Sequence, residues 1–572
     1  MAESVDRIVD VLVVGAGPVG LSLACELRRQ GVECVLVDDD DGPTPIRESR
    51  ALGIHARTLE AFQRLGVADA MVAEGRRLNG LSVYNGLTRI TGMRLAFDLD
   101  DTRYPFVLCL PQSRTERILV DRLSELGGGV TWGTRLASFT ADDDGATAEL
   151  KNASGQTSRI RARWLVGCDG SRSAVRHGLG LAFKGGDYEQ RFLLADVRLD
   201  WSKPADEISV VLTPGGPLAS FPLPEAGRWR LVDTTGLVEA DSPDAIVARF
   251  RELVNRHAAP EATVDQPSWT SSFGIRRRVV NRFRLGRCFV AGDAAHLHSP
   301  AGGQGMNTGV QDAVNLAWKL ALAVRGEASA GLLDSYDAER RPVALAVLRG
   351  TDLMTRVVTL HNPLARGLRN GLFRMLARLG VVRRKASLEL SELAVGYRDS
   401  PIVAKDAPGW FMALRQGGGT AFKAERAFRR GPRAGDRMPD PPIGTSDPAT
   451  GRERRLSDVV FEGGLGGGHV LLVFQGTEPE SGALEVEFLA EEFVSPRRAG
   501  RIRPILVEPK LPVEPSPAWK GQRLADPTNA LHRRFGAVGA CLYLIRPDGY
   551  IGYRGQPLDA FAFREYLKRI FR

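Results

Sequence analysis

Residues 10–38 constrain this chain more than any other stretch. Asp10 to Val14 read as a buried strand, Gly15-Ala16-Gly17-Pro18-Val19-Gly20 form a G-x-G-x-x-G turn, Leu21 to Gln30 continue with helical spacing, and Glu33 to Val37 give a second strand. Asp38 closes that strand eighteen residues after Gly20. Such a turn lets the backbone approach a pyrophosphate and aims a helix N-terminus at it, and an acid at that distance accepts a hydrogen bond from a ribose 2′-hydroxyl. The acid selects an unphosphorylated ribose, as in FAD or NAD.

A second unit runs from 288 to 320. Phe289 to Gly292 fit a buried strand, Asp293 stands at its end to accept from ligand hydroxyls, and Pro300 with Gly302, Gly303 and Gly305 follow. A helix beginning near Asn307 would point its unpaired N–H groups and positive dipole end at that loop. A reduced isoalloxazine carries negative charge along N1 and the C2 oxygen, so this arrangement suits a flavin better than a nicotinamide. Between the two units, Ala162 to Cys168 form a strand-like run ending in Asp169-Gly170-Ser171-Arg172-Ser173, which taken alone could be an ordinary Asp-Gly turn.

GAGPVG at 15–20, GCDGSRSAVR at 167–176 and GDAAHLHSPAGGQGMNTGVQDAVNLAWKLA at 292–321 together resemble the three signatures of the single-component (class A) FAD-dependent aromatic hydroxylases of the p-hydroxybenzoate hydroxylase fold. The resemblance covers roughly residues 8 to 350. It implies noncovalent FAD, NADPH or NADH as a transient electron donor, molecular oxygen as co-substrate, and hydroxylation of a phenolic or polyketide-type aromatic through a C4a-hydroperoxyflavin. By the same resemblance Gly15, Gly17 and Gly20, with Pro18 and Val19 in the turn, would hold the FAD pyrophosphate, and Asp38 its adenosine ribose. Asp169 and Gly170 would form the family's Asp-Gly element, and Asp293 would bind the ribityl or phosphate region. Pro300 and the run Gly302 to Asn307, with Gly303, Gly305 and Met306, would edge the isoalloxazine. SRALGIHARTLEAFQRLG at 49–66 would bring Arg50 to the cofactor, and LPQSRTERIL at 110–119 would set Gln112 beside the ribityl chain.

Two other readings stay open at this point. The same flavin peroxide could perform Baeyer–Villiger oxygenation or epoxidation of a fused-ring polyketide, and a non-catalytic flavin-binding interaction protein would keep the same cofactor motifs. A two-nucleotide disulfide reductase is disfavoured, because the chain has neither a second complete glycine fingerprint nor a C-x-x-C.

At 572 residues the chain is too long for one core, and about three domains are expected. The expected fold is α/β: a Rossmann-like FAD-binding domain from 1–80, 110–183 and 272–395, an inserted antiparallel sheet from 81–109 and 184–271, and a thioredoxin-like domain over 400–572. Alternation in FLLADVRLD and EISVVLT supports the inserted sheet, which would roof the active site. Tyr188, Phe221 and Trp229 in that roof are candidate substrate contacts, with packing as the alternative. The character changes after Asp399, and GPRAGDRMPD at 431–440 is a Pro-, Gly- and charge-rich boundary within the last region; the domain lacks C-x-x-C, so a structural or oligomerisation role is expected rather than redox exchange.

The formal charge of +9 is dispersed, which argues against nucleic acid as a partner. Six cysteines, at 25, 34, 109, 168, 288 and 541, lack metal or disulfide spacing, and with no apolar run of transmembrane length a reducing, cytoplasmic setting is expected. The basic amphipathic stretch 363–387 reads as a packed helix or dimer contact rather than membrane insertion. His296 and His298 lie inside the flavin-loop motif without metal-ligand partners, so turn packing is expected and no metal. No residue presents itself as the catalytic acid or base.

Overall fold

The computed structural model describes residues 7–94, 101–213, 216–234, 242–299, 302–358, 371, 375, 379–404, 419–462, 468–478, 501–510, 519 and 521–572. Pro300 and most of the basic stretch at 363–378 lie outside the described residues.

The strand Arg7–Val14 runs parallel between Cys34–Val37 and Thr157–Gly167, with Val130–Thr131 and Cys288–Val290 outside these. Val11 to Val14 are buried, as expected of a parallel strand covered on both faces. The helix Pro18–Arg29 begins inside the glycine motif, three residues before Leu21, because the fixed φ of Pro18 suits the first helical position. The helix Gln304–Val324 likewise begins three residues before Asn307, and Gly303 turns the chain into it at φ 65°. Both helix N-termini therefore open towards the C-terminal edge of one sheet, where open α/β folds hold ligands.

Over that edge stands an eight-stranded roof. Its order is His296–Leu297, Thr263–Val280, Phe183–Asp200, Arg228–Asp233, Gly216–Pro222, Glu207–Thr213, Gly80–Asn85 and Thr88–Arg94. Every pairing is antiparallel except Glu207–Thr213 beside Gly80–Asn85, which run parallel. The expected insert at 81–109 is not wholly in this roof. Val107–Cys109 instead pair with Gly53–Ile54 and Arg76–Leu78, because this apolar triplet completes a separate three-stranded sheet.

One face of the roof packs on the helix Pro243–His257 through Ile246, Phe250 and Val254. Trp229 belongs to that face: it is 4% exposed and meets Trp201 edge to face at 5.1 Å, so it is a core residue and not a substrate contact. Alternation along the strand turns its neighbours Arg230 and Val232 the other way. Tyr188 lies in the strand Phe183–Asp200, with its side chain outside the description.

The C-terminal sheet has the order Gln522–Ala525, Ile502–Glu508, His469–Phe474, Cys541–Ile545 and Ile551–Gly555. The first three strands are parallel and the last two antiparallel, with the helix Ala560–Leu567 following, in the manner of a thioredoxin-like fold. Cys541 is buried, and burial pushes its thiol far up, which makes it a poor nucleophile. The other five cysteines are also buried and free.

The boundary segment 431–440 is a packed seam rather than an open linker. Arg437 pairs with Glu60 at 2.8 Å, the Met438 N–H donates to the Gly549 carbonyl, and the Asp440 N–H donates to the Asp101 carbonyl. Among the described residues, no helix is long and apolar enough to cross a membrane.

Candidate functional site

A cavity of about 2260 Å³ lies between the first sheet and the roof. Its floor starts at the glycine turn, where the three glycines do different work. Gly15 has φ 100°, and a Cβ there would stand 2.4 Å from the Cys168 carbonyl oxygen; one on Gly20 would stand 1.8 Å from the Gly15 carbonyl oxygen. A Cβ on Gly17 would meet nothing within 4 Å. Gly17, Pro18 and Val19 line the cavity, whereas Gly20 lets the helix sit on the strand and does not reach it. The expectation that Gly20 touches the pyrophosphate is corrected accordingly, since the third glycine serves close packing.

Asp38 Oδ2 accepts from the Ala16 N–H at 2.5 Å, and its Oδ1 accepts from the Asp40 N–H at 2.9 Å. Burial raises this carboxyl, and the backbone donors offset part of the rise. Gln112 donates to Glu116 at 2.8 Å and accepts from the Ala51 N–H at 3.3 Å, which fixes its amide at the cavity wall. Arg50 also lines the cavity and is half exposed, paired with Glu48 at 3.2 Å. Its left-handed φ of 36° is unusual for a non-glycine residue, and its carbonyl accepts from Arg230.

Arg230 is the joint between floor and roof. It pairs with the buried Asp196 at 2.8 Å, donates to Ser49, and presents its guanidinium over the Trp269 ring at 5.0 Å. Around it the cavity face of the roof is apolar, with Phe192, Phe221, Val232 and Phe273.

The Asp-Gly element meets the same space. Asp169 Oδ2 accepts from the Val175 N–H at 3.1 Å, while Oδ1 is buried with no partner among the described residues. Gly170 lies beside it. Asp293 is open to the cavity but enclosed by protein, and this burial raises its carboxyl.

Gly303, Gly305 and Met306 line the far end, but Asn307 stands behind them. Its amide donates to the Gly53 carbonyl at 2.8 Å and the Gly303 carbonyl at 2.7 Å and accepts from the His55 N–H at 2.9 Å. With both amide hydrogens used, Asn307 shapes the loop instead of facing the cavity. His296 bonds Asp312 at 2.8 Å and stacks on His298, consistent with turn packing. Asp312 also accepts from the Gly292 N–H at 3.0 Å and from Arg340 at 2.6 Å, tying the strand end to two helices. Sequence reasoning passed over Asp312, His55, Arg230 and Glu392. Asp312 carries the one usable signal, its place inside the 292–321 motif.

His298 Nε2 has no partner among the described residues, and burial lowers this imidazole to about 4. The unfolded chain takes this proton near pH 6.5, so the stability His298 contributes is full above that pH and falls as the pH drops towards 4. Relative to His298→Gln, the wild type should lose about 2 kcal/mol of unfolding free energy between pH 7 and pH 5. Urea titrations at the two pH values measure it, and an equal change in both proteins contradicts a buried neutral imidazole.

Two helix N-termini, an open backbone at Gly17 and an unpartnered acceptor at Asp169 converge on one elongated space, and this donor and acceptor set fits a dinucleotide carrying a flat ring. Residues 8–351 match the family described as FAD binding domain. With relatives named as monooxygenases aligned over 96% and 97% of its length, the chain belongs to the FAD-dependent monooxygenases.

A 6-methylpretetramide 4-monooxygenase from Streptomyces rimosus is 38% identical to this monooxygenase over 557 residues, covering 96% of this chain and 90% of the other. A pentachlorophenol 4-monooxygenase from Sphingobium chlorophenolicum is 32% identical over 570 residues, 97% of each chain. The solved structure of an anhydrotetracycline hydroxylase from Streptomyces rimosus superposes with a TM-score of 0.71 at 30% identity, covering 99% of both chains. The flavin monooxygenase therefore shares the hydroxylase fold over its whole length, including the C-terminal sheet.

Proposed function

We propose that this monooxygenase hydroxylates a polycyclic, phenolic polyketide-type aromatic, with NADPH or NADH as electron donor and molecular oxygen as co-substrate. The observation that carries the reading is the cavity. At about 2260 Å³ it far exceeds the several hundred Å³ of an ordinary small-molecule pocket, leaving room for a fused-ring substrate beside a dinucleotide. The apolar face of Phe192, Phe221, Val232 and Phe273 suits flat aromatic rings, and the relatives named for tetracycline-type substrates support the same class.

In this reading Asp38 accepts from the adenosine ribose, Gly17 and the N-terminus of Pro18–Arg29 receive the pyrophosphate, and Asp169, Asp293 and Gln112 accept or donate along the sugar chain. Gly303 to Met306 and the N-terminus of Gln304–Val324 lie against the isoalloxazine, where their N–H groups favour negative charge. When bound, FAD supplies hydride acceptance and oxygen activation at C4a. The protein supplies position and dryness: the roof excludes water, and Arg230 stands with its charge against Asp196 at the substrate face.

Anaerobic addition of NADPH or NADH to the purified protein tests this, with a panel of single-ring phenols and fused-ring aromatics followed through the flavin absorption band. Bleaching accelerated by fused-ring phenols and little affected by small phenols is the expected result. Equal acceleration by both groups removes the size argument, and a flavin that neither donor reduces removes the hydroxylase reading.

A further inference from the structure

Glu392 is the cavity residue that cofactor and substrate binding leave without a task. It lies just past the helix Gly380–Leu390, with its backbone at φ 58°. That left-handed conformation is unfavourable for a non-glycine residue and points to a local function. The residue lines the cavity yet is only 5% exposed. Thr308, in the second turn of Gln304–Val324, donates its hydroxyl to Glu392 Oε1 at 3.1 Å, and the same oxygen stands 3.9 Å from His55 Nδ1.

That imidazole nitrogen is buried without a hydrogen-bond partner among the described residues, while the Gly302 carbonyl accepts from the ring. A neutral imidazole donating to Gly302 keeps Nδ1 as an acceptor. A protonated Glu392 can close the short gap and donate to it; an ionised Glu392 cannot. The other charges packed around the pair are already engaged. Arg57 pairs with Glu60 at 2.9 Å and lies over Tyr550, Arg340 serves Asp312 and the Tyr397 hydroxyl, and Asp312 also holds His296. Glu392 thus has no cation of its own. Burial raises it to about 7, with Arg340 offsetting part of the rise, and burial lowers His55 to about 4.

We propose that Glu392 and His55 form one proton-holding pair that takes up a proton when negative charge arrives at the glycine-loop end of the cavity, coupling reduction of bound FAD to protonation of Glu392. The inference rests on FAD seated with its ring at Gly302 to Met306. Reduction by a hydride donor or dithionite places two electrons on the flavin, which takes one proton at N5 and keeps one negative charge. The Glu392 carboxylate takes a second proton from solvent and becomes the donor to His55 Nδ1. All electrons end on the flavin, and no bond of the protein breaks. Glu392 and His55 are positioning residues for the flavin's charge.

The test is the midpoint potential of FAD bound to the full-length protein, measured from about pH 6.5 to 8.5 in wild type, Glu392→Gln and Glu392→Gly. Glycine suits φ 58° and guards against a folding defect in the glutamine variant. One proton per two electrons moves a potential by about 30 mV per pH unit, and two protons by about 59 mV. The wild type should show the steeper dependence near neutrality and both variants the shallower one. A one-proton slope in the wild type, or one slope shared by all three proteins, overturns the pair. Wild-type protein that binds no FAD would instead overturn the cofactor placement, so the two failures are distinct.

Discussion

Arg546→Met should cost this protein about 3–5 kcal/mol of stability, the cost of removing one partner from a buried ion pair. Arg546 is fully buried between Glu339, at 2.6 and 2.9 Å, and Asp548. Burial alone would push Glu339 up, but Arg546 and Lys319, the latter at 2.7 Å, more than offset it and hold the carboxyl well below its usual range. Without the guanidinium, Glu339 keeps Lys319, the Asn315 amide at 2.6 Å and the Ser400 hydroxyl at 2.7 Å, whereas Asp548 loses its cation and keeps the Trp318 indole at 3.2 Å with the Asn315 amide and the Tyr550 N–H at 3.4 Å. Adding Asp548→Asn should recover part of the loss by removing the stranded carboxylate while Glu339 keeps Lys319. Urea midpoints of the single and double variants measure this. A single variant within about 1 kcal/mol of wild type would show that the network is not worth its desolvation.

The same change should loosen FAD. Glu339 is followed by Arg340, which donates to Asp312, and Asp312 in turn fixes Gly292 and His296 in the flavin loop. One helical turn therefore carries the C-terminal sheet's anchor on one residue and the cofactor loop's anchor on the next. The C-terminal part, whose Cys541 is buried, is joined to the cofactor loop by this packing.

What could be read from residue order alone follows the range of the interactions. The unit from strand to Asp38 is local, its turn chemistry is carried by neighbouring residues, and even its error is small: both helices begin three residues early, at Pro18 and Gln304. In the last sheet two of the five strands and the terminal helix were legible for a similar reason, from short apolar runs, whereas the order of the strands was not. Trp229 was not, because the face a strand residue takes depends on which helix covers the sheet, and Pro243–His257 claims that side. Asn307 and Gly20 carry the expected motif identities, yet their partners turn them away from the cavity. His55 and Glu392 meet across most of the flavin-binding part of the chain, and nothing near either position announces the other. Arg546 and Glu339 are 207 residues apart, so their pairing is equally invisible before folding.

Gly17→Ala and Gly20→Ala should separate cofactor binding from folding within a single motif. Gly17 has φ −70° and ψ −177°, extended backbone that alanine adopts freely, and its added methyl would touch no protein atom. The folded protein should keep its stability, while the methyl occupies the space where a pyrophosphate must approach the backbone. FAD affinity should fall at least about 10-fold, or about 1.4 kcal/mol. Gly20→Ala forces a methyl to 1.8 Å from the Gly15 carbonyl oxygen, which is backbone and cannot swing aside. The helix Pro18–Arg29 must then lift from the strand Arg7–Val14, at a cost on the order of 3 kcal/mol, and FAD is lost along with the fold's stability. Thermal unfolding of the FAD-stripped proteins, paired with fluorescence titration by FAD, reads both quantities. Wild-type affinity in Gly17→Ala would move the pyrophosphate away from this turn, and wild-type melting in Gly20→Ala would show that helix and strand are not in the contact described.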